Sequence, residues 1–231
     1  MQVQPVFSVF SAIWVFYTFA DWRGCHGPPM HAVLEQVASQ FASEVLRLDA
    51  ETTQLHPNGL NYKWSAQQVV EHLVLGYRQT SKAMETRLNK GRLSRNQKRT
   101  YLQWSLQLMI LSFGKLPRGV PALDETVPVA GRFPAMDGRQ LGDLLRREID
   151  AMDKLFDSCR RKFGMERVAV HPFLGPLRVD QWRRFHVVHG FHHLTQLQSV
   201  IAQVAPLQVP VTIGSPKLVE KLQVPAQRPL T

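Results

Sequence analysis

Cysteine is nearly absent: two residues, Cys25 and Cys159, stand in a chain of 231. So far apart, they define no disulfide framework and no Cys-x-x-Cys pair, which points to a reducing compartment. A thiol nucleophile at Cys159 competes with the plainer reading of an ordinary helix residue in a charged segment. No apolar run is long enough to cross a bilayer. Phe7 to Ala20 offers 14 residues with almost no polar side chain, where a helical span needs about 20. That run is similar to the core of a secretory signal, with Thr18-Phe19-Ala20 as a cleavage site. Yet Met1-Gln-Val-Gln-Pro5 lacks the Lys or Arg that such a signal carries. The alternative is that translation starts at Met30, where helical patterning begins. Either way residues 1–29 form an N-terminal extension outside the fold. Strand alternation bounded by hairpin turns is also missing, apart from a short candidate pair in the tail, and there is no internal repeat.

Acidic residues are scarce: 18 Asp and Glu against 28 Lys and Arg give a net charge of +10. The basic residues gather in Arg87–Arg99 and again at Arg160-Arg-Lys162. Such patches attract nucleic acid or anionic ligands. Here the aromatics do not interleave with them and no nucleic-acid module is present, so they read as a solvated face and a connector. Nucleic acid is the less favoured partner.

What the chain does have is an ordinary globular balance, 44% hydrophobic and 20% charged, with clear helical periodicity. A first stripe runs from His31 to about Ala50, and Pro57-Asn-Gly59 interrupts the chain after it. Ser65 with Gln68 three residues on makes a capping box for a helix to about Asn89. Tyr101 to Phe113 reads as a shorter helix. Four prolines in residues 115–137 exclude a long helix there and leave an extended connector. Leu141 to Phe163 is helical again. After the turn His171-Pro-Phe-Leu-Gly-Pro176, a last helix spans about Val179 to Val204. The tail, residues 205–231, is rich in proline and reads as irregular. The fold class is therefore all-α, a bundle of four long helices with one short companion, over residues 31–204.

Four of the nine histidines fall in Phe185-His-Val-Val-His-Gly-Phe-His-His193. At about 100° per residue, Trp182, His186, His189, His193, Leu197, Val200 and Ile201 share one stripe, while His192 points aside. The apolar members make that stripe the buried face. His189 and His193 thus project together, one turn apart, as a pair of imidazoles that can hold one ion. A satisfied pair of core histidines is the competing reading. His186 lies on the same stripe, as a core histidine, a fourth ligand or a proton carrier. A catalytic ion needs a further ligand, and His72, at the edge of the stripe Val69, Leu73, Gly76 and Thr80, is the natural candidate. His171 packs or caps in its loop.

The segments Trp64-Ser65, Glu71-His72-Leu73, His171-Pro-Phe-Leu-Gly-Pro-Leu177 with Gln181-Trp182, and His189-Gly-Phe-His-His-Leu-Thr-Gln196 together resemble the DinB/YfiT family. The match is to its branch of uncharacterised domains with an HxxHH pattern on the last helix, and it covers residues 31 to 204. The resemblance implies a four-helix bundle with a long crossover connection. It also implies a divalent metal (zinc, nickel or iron) bound by His72, His189 and His193. Gln196 matches a polar position that either orients a histidine or makes a bundle hydrogen bond. Two positions depart from the pattern. Arg178 stands where a Ser or Thr cap is usual, leaving capping to Asp180 or water, and Val188 replaces a Lys.

The resemblance further implies thiol-dependent transferase or isomerase chemistry. An ion on three neutral imidazoles, able to ionise a bound water or thiol, points to metal-dependent thiol S-transfer or hydrolysis on a small-molecule thiol or electrophile. The alternatives are a non-catalytic metal-binding or stress-related bundle, and a basic-face nucleic-acid binder. A homodimer, no membrane span and a cytoplasmic location complete the expectation, with secretion if residues 1–20 are a true signal. The apolar face of Trp104, Leu108 and Met109 either covers the site or makes a dimer contact.

Overall fold

The computed structural model describes residues 30–60, 63–95, 97–117, 119 and 121–204. The extension, the tail with its candidate strand pair, and Cys25 lie outside the described residues. Five helices account for most of the described chain: α1 (Met30–Val45), α2 (Ala66–Lys90), α3 (Tyr101–Gln107), α4 (Gly138–Phe163) and α5 (Val179–Val204). No helix among the described residues is long and apolar enough to cross a membrane.

Local chemistry sets the helix starts. Ser65 accepts from Gln68 N while the Gln68 side chain accepts from Ser65 N, the expected capping box at the head of α2. The same reciprocal pair recurs at Thr100/Gln103 for α3 and Asp137/Gln140 for α4. Each box satisfies two amides that helix geometry leaves unpaired. At the head of α5 Gln181 Oε1 accepts from Arg178 N at 3.0 Å, so Gln181 does what was expected of Asp180, which instead pairs with the Arg178 guanidinium at 3.2 Å. Helix α1 ends at Val45 rather than near Ala50. Asp49 Oδ1 takes Thr52 N at 2.8 Å and so organises a short 3₁₀ turn at Thr52–Gln54.

Helices α1, α2, α4 and α5 surround one core: α4 packs on α1 and α2, and α5 on the same two helices. Phe41, Leu73, Tyr77, Leu145, Met152, Phe156 and Leu197 are fully buried there. Arg183 on α5 ties to buried Asp153 on α4 at 2.5 Å.

One expectation is corrected. The chain is mostly helical, but Arg167–His171 (β1) and Gly175–Arg178 (β2) form an antiparallel hairpin between α4 and α5. A register irregularity between Arg167 and Ala169 buries Val168 and Ala169 in succession, which erases the period-2 alternation. Pro176 is tolerated because a two-stranded sheet has an open side needing no donor. His171 Nδ1 accepts from Phe173 N and Leu174 N, both at 3.2 Å, and closes the turn.

Candidate metal centre

Helix α2 supplies His72 and helix α5 supplies His189 and His193, one turn apart. Their Nε2 atoms converge: His189 Nε2 lies 3.2 Å from that of His72 and 3.0 Å from that of His193. One nitrogen from each ring lies within 4.8 Å of the other two. His72 and His193 are buried and His189 is partly buried.

The outer nitrogens decide what the inner ones can be. His72 Nδ1 sits 2.9 Å from the backbone oxygen of Thr126, which can only accept, so this nitrogen carries the proton. His193 Nδ1 likewise donates to Gln196 Oε1 at 2.8 Å. In neutral rings both Nε2 atoms are then bare lone pairs. His189 Nε2 holds at most one hydrogen and faces both. Without a positive charge at the centre, one of these close contacts sets lone pair against lone pair.

A cation removes that conflict, and the spacing suits one. Nitrogens about 2.1 Å from a zinc-like ion in tetrahedral or octahedral directions sit about 3.0–3.4 Å apart. The His72–His189 and His189–His193 separations fall in that range, and His72 and His193 lie within 4.8 Å of each other.

The rings are held neutral, as ligands must be. Burial and the other two site histidines push His189 well below the usual imidazole value. Burial, with His72, lowers His193 to about 3, opposed by the hydrogen bond it donates to Gln196 Oε1. Burial also lowers His72, opposed by the Thr126 carbonyl. Aromatic walls limit ring motion. Trp64 lies over His72 at 4.9 Å, and Phe185 stacks on His189 at 5.3 Å with planes 14° apart.

His186 is not in the cluster. It is fully buried one turn earlier, with Nε2 3.0 Å from Thr80 Oγ1 and no partner for Nδ1 among the described residues. His192 is exposed. Cys159 is buried, its thiol pushed up to about 11 by burial, so it is a protonated core residue at neutral pH.

One contributor carried no usable sequence signal. Thr126 acts through its backbone carbonyl, which no side-chain pattern reveals. Glu71, beside His72, is a buried carboxyl raised by desolvation and held by Gln67 Nε2 at 2.7 Å. Gln67 in turn bonds Pro134 O and Met136 N, which fixes the connector against α2.

Fold and site together define a mostly helical protein whose three clustered histidines could hold a metal ion. A family model described as "Protein of unknown function (DUF1569)" matches residues 38–200, and the chain belongs to that family. No curated protein and no solved structure matches it.

Proposed function

We propose that this chain is a DinB/YfiT-like protein that binds one divalent ion through His72, His189 and His193, and uses it in thiol S-transfer or hydrolysis. The observation that carries the metal reading is the convergence of three Nε2 atoms whose outer nitrogens, on two of the rings, already have acceptors. The likeness to DinB/YfiT proteins is supported by one ligand on the second helix, a His-x-x-x-His pair on the last, and a long connection between α2 and α4.

The enzymatic reading rests on the number of ligands. No fourth His, Cys, Asp or Glu joins the cluster among the described residues, and His186 is engaged with Thr80. Three protein ligands leave positions for a water or substrate, as in catalytic rather than closed structural sites. A divalent ion bound there would keep its charge against three neutral imidazoles and ionise a water or thiol near neutral pH. The chain's own part is to hold the three rings deprotonated, fix two of them through Thr126 and Gln196, and wall the site with Trp64 and Phe185.

Elemental analysis of purified full-length protein tests the binding. About one equivalent of zinc, nickel or iron is expected, lost in His72→Ala, His189→Ala and His193→Ala. Metal-free wild type, or variants that retain the ion, would refute it. Thiol consumption with a panel of electrophiles, with and without the ion, then separates catalyst from non-catalytic bundle.

A further inference from the structure

Helix α3 is docked by its polar side. Gln107 is buried and donates to the Leu174 carbonyl at 2.7 Å, while Gln103 lies against Gly175 at the hairpin turn. The opposite face is apolar and open: Tyr101 is 82% exposed, Leu102 67%, Trp104 43% and Leu108 41%, with Phe113 at 64% just beyond. Single exposed apolar side chains are ordinary, but five within one short segment mark a contact surface. Helix α3 continues into a π-helical turn, Leu108–Ser112, packed on α5.

Charge identifies the occupant. Between Glu85 and Asp124 the sequence carries eight Lys and Arg residues and no Asp or Glu. The last turn of α2 and the chain leading from it into α3 line an open depression with Arg87, Lys90, Arg92, Ser94 and Arg95. That chain is pinned to the same hairpin as α3, by Ser94 N on Val168 O at 3.2 Å and Gln97 Nε2 on Arg167 O at 3.0 Å. A second copy meeting this face across a two-fold axis would set the basic run against itself. Nucleic acid would leave Leu102, Leu108 and Phe113 with no apolar phase to enter. An anionic lipid surface satisfies both halves: headgroup phosphates meet the arginines, and the aliphatic and aromatic tips enter the acyl boundary.

We infer that α3 and the basic run before it form a peripheral docking face for anionic membrane surfaces. Docking through this face requires no bound metal. Full-length protein is sedimented with phosphatidylcholine vesicles containing or lacking 30% phosphatidylserine, a mixture taken as roughly that of an anionic leaflet. Binding is expected only to the anionic vesicles, weakened at least tenfold by Leu102→Asp/Leu108→Asp, by Arg92→Glu/Arg95→Glu, and by raising salt. Circular dichroism and bound metal serve as folding controls, and brominated lipid is expected to quench wild-type tryptophan fluorescence more than that of Trp104→Phe. Equal binding to neutral vesicles, or binding unchanged in either double variant, overturns the inference. A dimer abolished by the leucine pair, or tighter capture by oligonucleotides than by vesicles, would overturn it in favour of those partners.

Discussion

Gln196 and Thr126 do the same work from opposite sides of the cluster. Each accepts the Nδ1 proton of one histidine and thereby turns a bare Nε2 toward the centre. Groups that orient a ligating imidazole typically contribute about 10- to 100-fold in metal affinity. Gln196→Ala is therefore expected to bind zinc about 10- to 100-fold more weakly than wild type in a chelator competition. Gln196→Glu keeps an acceptor on His193 and is expected to retain affinity. Equal affinity in wild type and Gln196→Ala would mean that the bond only pins the helix surface. His186 provides a contrast: with Thr80 as its partner, His186→Gln is expected to keep a full equivalent of metal while losing stability.

At the scale of elements, the close approach of α4 to the end of α1 is the most demanding feature of the backbone. Gly138 opens α4, donates to Leu48 O at 2.8 Å, and a Cβ there would stand 1.6 Å from Val45 O. A backbone atom cannot swing aside as a flexible side chain can. Gly138→Ala is expected to destabilise by about 3 kcal/mol or more, a strain cost in the upper range for point changes. Urea denaturation of the two proteins measures it, and a difference below about 1 kcal/mol would show that the two helices part easily.

Such contacts explain which elements the sequence could reveal. Helices α2, α4 and α5 were legible because long apolar stripes and local caps act within a few residues of each other. Helix α4 starts at Gly138, three residues before the first residue of its apolar stripe, Leu141, because Asp137 and Gln140 form its capping box. The hairpin was missed because its irregular register removed the alternation that marks a strand, and because His171 closes its turn by a side-chain bond. At the site, the pairing of His189 with His193 follows from helical spacing. The position of His72 depends on how α2 packs on α5, and Thr126 enters from a proline-rich connector with no periodicity to read.

The whole molecule carries an unusual load of buried, uncharged imidazole, and this ties its stability to pH. Burial lowers His171 to about 4 and His186 to about 3, from an ordinary value near 6.5. In the unfolded chain both rings take up protons as pH falls through about 6.5, whereas in the folded protein they stay neutral until about pH 4. Across that window the unfolded state binds more protons, so unfolding becomes easier as pH drops, by about 1.4 kcal/mol per unit for each ring. The three site histidines act with the same sign once the ion is removed. Glu71, whose carboxyl is raised by burial, works in the opposite direction and offsets part of the loss. With chelator present, the free energy of unfolding in urea is expected to fall by about 3 kcal/mol or more from pH 7 to pH 5 and to change little between pH 7 and 8. His186→Leu removes one of these rings, so its curve over the same range should be shallower by one proton's worth of slope. A flat wild-type profile between pH 7 and 5 would mean that these rings are solvated enough to charge in place, and the core around α5 would have to be looser than its packing indicates.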